Sequence, residues 1–94
     1  MNSLLEKQYL VQNSDKMVWR SVDGEAVLLN LESGAYYSFN RTATVLWSSI
    51  VESKSLTQAV RELAEQYGVT EEVVGEDANQ LLQQLIDSGI IRPA

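Results

Sequence analysis

Between residues 16 and 39 the apolar positions come in short runs rich in β-branched and aromatic residues, divided by turn residues. Residues 16–22 (Lys-Met-Val-Trp-Arg-Ser-Val) lead into Asp23-Gly24, a pair that readily supplies the positive φ angles of a tight hairpin turn. A second run covers residues 26–30, and Leu31-Glu-Ser-Gly34 forms the next turn. A third, aromatic run follows at 35–39 (Ala-Tyr-Tyr-Ser-Phe). Neither connection has room for a crossover, so the pattern predicts a three-stranded antiparallel meander in chain order.

Past residue 40 the apolar period changes from two to 3.6. Asn40 suits a helix N-cap, and Ala43, Leu46, Trp47 and Ile50 form one stripe on a helix over 41–51. Ser55-Leu-Thr-Gln58 matches a capping box, in which the serine oxygen and the glutamine side chain would each satisfy the other's backbone N–H. Leu56, Ala59, Val60, Leu63, Ala64 and Tyr67 keep helical spacing from there to the stop at Gly68. Thr70 caps a third helix over 71–88, with Val73, Val74, Ala78, Leu81, Leu82, Leu85 and Ile86 on its apolar side and Gly75 as a weak point or a place of close approach. Gly89 ends that run, and Pro93 forbids further helix after Ile90-Ile91-Arg92. The first 15 residues are weakly patterned and are expected to form a flexible segment preceding a domain over 16–94.

At 94 residues and 45% hydrophobic composition the chain suits one small domain, of α+β class and winged helix-turn-helix-like: a three-stranded antiparallel meander followed by three helices. There is no signal-like apolar stretch at the N-terminus and no run of about 20 apolar residues, so a cytoplasmic protein with no membrane partner is expected.

Charge divides the chain unevenly. Up to Arg61, six basic residues (Lys7, Lys16, Arg20, Arg41, Lys54, Arg61) balance six acidic ones (Glu6, Asp15, Asp23, Glu25, Glu32, Glu52). From residue 62 to 91 seven acids stand without a base, and Arg92 alone offsets them. A winged-helix reader of DNA needs Lys or Arg to neutralise phosphates, and an acidic last helix would be repelled, so no nucleic-acid partner is expected.

Candidate chemistry is sparse. With no His and no Cys, the commonest general bases, nucleophiles and transition-metal ligands are missing, which points away from an enzyme and from a metal or other cofactor. The five glycines stand apart, so no phosphate-binding loop is present. Glu71 and Glu72 complement a helix N-terminus. Glu76 and Asp77 lie beyond the first turn and suit an electrostatic role in binding.

The third strand carries the clearest binding feature. If the strands lie in chain order, residues 35–39 form a sheet edge whose free N–H and C=O groups can take an added strand. Alternation puts Ala35, Tyr37 and Phe39 on one face and Tyr36 and Ser38 on the other, so the two tyrosines cannot be equally buried.

The tract from Asp23 to Asn40 (DGEAVLLNLESGAYYSFN), a helical Leu46-Trp47, a helix ending in Tyr67-Gly68-Val69 and a closing Leu85-Ile-Asp-Ser-Gly-Ile-Ile91 together resemble the family of pyrroloquinoline quinone synthesis protein D (PqqD). The resemblance spans about residues 16 to 91. It implies a non-catalytic element that recognises the leader of a ribosomally made precursor peptide and presents it to a separate leader peptidase or other modifying enzyme. In such domains the leader is added to the third strand and lies beside the third helix. Carried over by position, the strand contacts are Ala35, Tyr36, Tyr37 and Ser38, and the helix contacts Val74, Asp77, Ala78 and Leu81. Phe39-Asn40 and Trp47 match the family pattern as core and cap. A stand-alone chain of this length is most similar to the lasso-peptide members; service to a radical S-adenosylmethionine enzyme, or a DNA-binding winged-helix regulator, are the alternative readings.

Overall fold

The computed structural model describes residues 4–94. Its elements run β1 (Tyr9–Val11), a 3-10 turn (Ser14–Lys16), β2 (Met17–Val22), β3 (Glu25–Asn30), β4 (Tyr36–Phe39), α1 (Arg41–Val51), α2 (Leu56–Tyr67), α3 (Glu71–Asp87) and β5 (Ile91–Pro93). The meander is present in the expected order β2-β3-β4, all antiparallel. Asp23 and Gly24 take φ of 54° and 81°, the left-handed pair that joins twisted strands without splaying them. A Cβ on Gly24 would also come within 3.1 Å of the Arg41 guanidinium, so both backbone angle and space favour glycine there.

The sheet buries one face. Ala26 and Leu28 of β3 and Phe39 of β4 sit under α1, while Val18, Val27, Leu29 and Tyr36 remain exposed on the opposite face. Leu46, Trp47 and Ile50 of α1 meet that inner face, and the Trp47 ring stacks obliquely on Phe39 (centroids 5.6 Å apart) and perpendicular to Trp19 of β2 (6.3 Å). One aromatic group thus joins β2, β4 and α1.

The helices begin and end where their caps place them. Asn40, Ser55 and Thr70 each accept the backbone N–H three residues on, at 2.8, 3.2 and 3.2 Å. Only half of the capping box at Ser55 forms, because the Gln58 side chain turns along the helix to donate to Glu62 at 3.2 Å. Gly68 closes α2 with φ 66°. Tyr67 and Val73, both expected on buried stripes, are 47% and 51% exposed. They flank the α2–α3 turn, where the packed stripes run out into solvent.

The weakly patterned N-terminal stretch contributes to the fold. β1 pairs with β5 in a second, two-stranded sheet, with Tyr9 opposite Pro93 and Val11 opposite Ile91. Leu5 and Tyr9 are buried in the same core as Ile90 and Ile91. The domain core therefore begins before residue 16, drawing on residues that local pattern had set apart. The segment after Gly89, for which only the end of helix was expected, is the partner strand β5.

Candidate functional site

β4 is the edge of its sheet, and α3 runs beside it. Between them lies a groove of about 870 Å³ lined by all four residues of β4, by Asn40, Thr42, Ala43 and Leu46 at the start of α1, and by α3 from Asp77 to Ser88. The corner is fixed by two hydrogen bonds: Asn40 caps α1 immediately after β4, and the buried Thr44 hydroxyl donates to the Phe39 carbonyl at 3.3 Å.

The register decides which backbone groups of β4 are free. Asn30 N–H donates to the Ala35 carbonyl at 2.8 Å, and hydrogen-bonded pairs alternate along an antiparallel ladder. Tyr37 and Phe39 therefore direct their N–H and C=O groups to β3, opposite Leu28 and Ala26, while Ala35 gives β3 its carbonyl alone and donates its N–H to the Ser33 hydroxyl at 3.2 Å. Tyr36 and Ser38, opposite Leu29 and Val27, turn theirs to the open edge. β3 obeys the same alternation, since Leu31 N–H donates to Lys16 O on the β2 side at 2.8 Å.

Side chains follow the complementary parity. Tyr37 is half-buried against the core while Tyr36 is 69% exposed, the inequality that alternation demands. Tyr37, Phe39, Ala43, Leu46, Leu81 and Leu85 give the groove an apolar floor. Asp77, Gln80, Gln84, Asp87 and Ser88 give it a polar rim with two acids and no base.

Of the eight positions expected to contact a peptide, Tyr36, Tyr37, Ser38, Asp77 and Leu81 line this groove. Ala35 lies immediately before β4, with its carbonyl bonded to Asn30 of β3 and its N–H to the Ser33 hydroxyl. Val74 and Ala78 are corrected: they are 5% and 0% exposed, packed into the core on a different face of α3. Gln80, Gln84, Leu85, Asp87 and Ser88 take their place on the groove side. At 3.6 residues per turn this stripe is rotated roughly a quarter turn from the buried one through Val74, Ala78 and Leu82. Apolar content alone, the signal available in the sequence, selects the buried stripe rather than its polar flank.

Among the described residues no group of three His, Cys, Asp or Glu is placed to hold a metal ion, and no helix is long and apolar enough to cross a membrane.

The meander, the three capped helices and the edge-strand groove coincide with a family match: residues 25–91 fit coenzyme PQQ synthesis protein D (PqqD). The chain belongs to the PqqD family. Two solved structures share this PqqD-family architecture. One is TbiB1 in complex with the TbiA(beta) leader peptide, 27% identical over 83% of this chain and 91% of that one, with a TM-score of 0.73. The other is a lasso peptide synthetase B1 complexed with the leader peptide, 22% identical over 92% and 99% of the two chains, TM-score 0.78; at that identity the likeness speaks for the fold. No curated protein matches the chain.

Proposed function

We propose that this PqqD-family domain is a recognition element for the leader of a ribosomally made precursor peptide, most closely allied to lasso-peptide biosynthesis. It holds the leader as an added strand on β4 and presents it to a separate leader peptidase or other modifying enzyme, with no catalysis of its own. The observation that carries this reading is the free backbone edge at Tyr36 and Ser38 running along an apolar-floored groove. The 27%-identical TbiB1 holds a leader peptide, which supports the leader-recognition reading.

Energetics assign the parts. Each backbone hydrogen bond nets only about 0.5–1.5 kcal/mol and is indifferent to sequence. An apolar leader side chain buried on the floor contributes about 1.5–3 kcal/mol, so floor anchors dominate selection. A leader residue opposite Tyr37 shares its face and reaches the floor, whereas residues opposite Tyr36 and Ser38 have their side chains on the outer face.

The test is a fluorescence-anisotropy titration with the leader half of any short precursor encoded beside this chain's gene, using the core half as control. Saturable binding of the leader half alone is expected. Ser38→Pro removes an outward N–H while sparing the β3 ladder, and should weaken binding tenfold or more with the fold intact by circular dichroism. A folded Ser38→Pro protein binding like wild type would remove strand addition. Failure of the wild-type protein to bind either half would remove leader recognition itself. Tyr37→Pro does not serve here, because the Tyr37 N–H belongs to the ladder with β3.

A further inference from the structure

An added strand brings two backbone edges into the groove, and β4 can satisfy only one. The other edge faces α3. Its N–H and C=O groups would be desolvated there without partners, at a cost comparable to the bonds gained on the first edge. The α3 side of the groove holds side chains suited to that edge.

Gln80 and Gln84 both line the groove and are exposed to it. Neither side-chain amide makes a hydrogen bond to any described residue, whereas Gln83 of the same helix donates to Asp87 at 2.9 Å and Gln58 of α2 donates to Glu62 at 3.2 Å. A carboxamide both donates and accepts, so each can meet the N–H and the C=O that an extended residue presents on one side. Their spacing fits as well. Residues four apart on a helix are separated by about 6 Å along its axis, and the outward groups of a strand recur every two residues, about 6.6 Å. The lengths are also matched, with α3 offering about 16 Å from Asp77 to Ser88 and the four residues of β4 about 13 Å.

Resting on the leader-binding reading above, we propose that Gln80 and Gln84 form a carboxamide ladder that hydrogen-bonds the leader backbone on the edge turned away from β4. The domain then grips main chain from both sides, and the apolar floor reads the anchoring side chains. For a leader added antiparallel to β4, the residues whose amides meet the glutamines have the parity that sends side chains to the floor, so the anchors and the glutamine contacts coincide. Residues of the other parity bond to Tyr36 and Ser38.

Single N-methylation along a synthetic leader tests this, because each methyl deletes one backbone donor. Wild-type protein should lose affinity at positions of both parities, strongly where the amide meets β4 and about three- to tenfold at the intervening positions. With Gln80→Ala/Gln84→Ala the unmodified leader should bind about tenfold more weakly. The intervening positions should then tolerate methylation to within twofold, while the β4-facing positions stay sensitive. Gln66→Ala, an exposed glutamine on α2 outside the groove, should leave the whole profile unchanged. Both substituted side chains are exposed, so unaltered thermal unfolding serves as the folding control. Sensitivity at one parity only, or a double variant with wild-type affinity and profile, would overturn the ladder while leaving leader recognition intact. A leader that fails to bind wild type at all would instead count against the reading on which the ladder rests.

Discussion

Tyr9 is 4% exposed, and its phenol donates to the Leu4 carbonyl at 2.7 Å. Burial pushes its pKa above the ordinary value of 10.0. For an acid held in its neutral form by the fold, the associated stability is fully present below the unfolded pKa and is lost as pH rises through the folded one. Titration of Tyr9 should therefore leave urea midpoints unchanged around neutral pH and lower them above about pH 10. Tyr9→Phe should cost about 1 kcal/mol at neutral pH, the net of one hydrogen bond, and show a shallower alkaline fall. Equal alkaline falls in the two proteins would assign the effect to other groups. Trp47 shows the opposite balance: its buried indole N–H has no acceptor among the described residues, and that unmet donor, worth about 1–3 kcal/mol, is set against the burial of a large ring between Trp19 and Phe39.

At the scale of elements, α3 has two functional sides. Its buried stripe packs the core through Val74, Ala78, Leu82 and Leu85, and its flank from Asp77 to Ser88 borders the groove. With Asp77 and Asp87 on the groove and no base beside them, a leader carrying Lys or Arg near α3 is favoured. Wild-type affinity for such a leader should fall between 50 and 300 mM salt as the Debye length shrinks from above to below about 10 Å. Asp77→Asn should bind about two- to fivefold more weakly at low salt, with a flatter salt dependence, as the loss of one exposed ion pair implies. Salt-independent binding by wild type, with Asp77→Asn unchanged, would leave the acids as a solvated face. Glu71 and Glu72, in the first turn of α3, complement the helix dipole and lie outside the groove.

Over the whole molecule, the two chain ends close the core that supports the site. Leu5 and Tyr9 pack with Ile90 and Ile91, and β1 covers β5. A domain of this size is stable by only about 5–14 kcal/mol, so the N-terminal stretch is a large share of the whole. A chain beginning at Gln12 uncovers Ile90 and Ile91 and should lose about 3 kcal/mol or more, read as a lower urea midpoint, with leader affinity falling only through the unfolded fraction. Full stability after that truncation would show that β1 adds nothing to the core. Direct loss of affinity in a still-folded truncated protein would instead connect β1 to the groove.

What the sequence determined by itself is local. Hairpin turns, caps at Asn40, Ser55 and Thr70, the glycine stop after Tyr67 and the periods of strand and helix all depend on residues within four or five positions of each other, where side-chain chemistry and backbone angle are directly coupled. Strand order put the third strand at the sheet edge, the family resemblance set the third helix beside it, and alternation separated Tyr36 from Tyr37. Tertiary structure alone decided the rest. Pairing of Tyr9 with Pro93 joins the two ends of the chain, and no local period can signal it. The free N–H groups of Tyr36 and Ser38 follow from the register with β3 rather than from residue type. The rotation of α3, which buries Val74 and Ala78 and turns Gln80 and Gln84 to the groove, is set by packing against α1, α2 and β5. An amphipathic pattern names the buried stripe, and only the surrounding elements determine which flank meets a cleft and which meets open solvent.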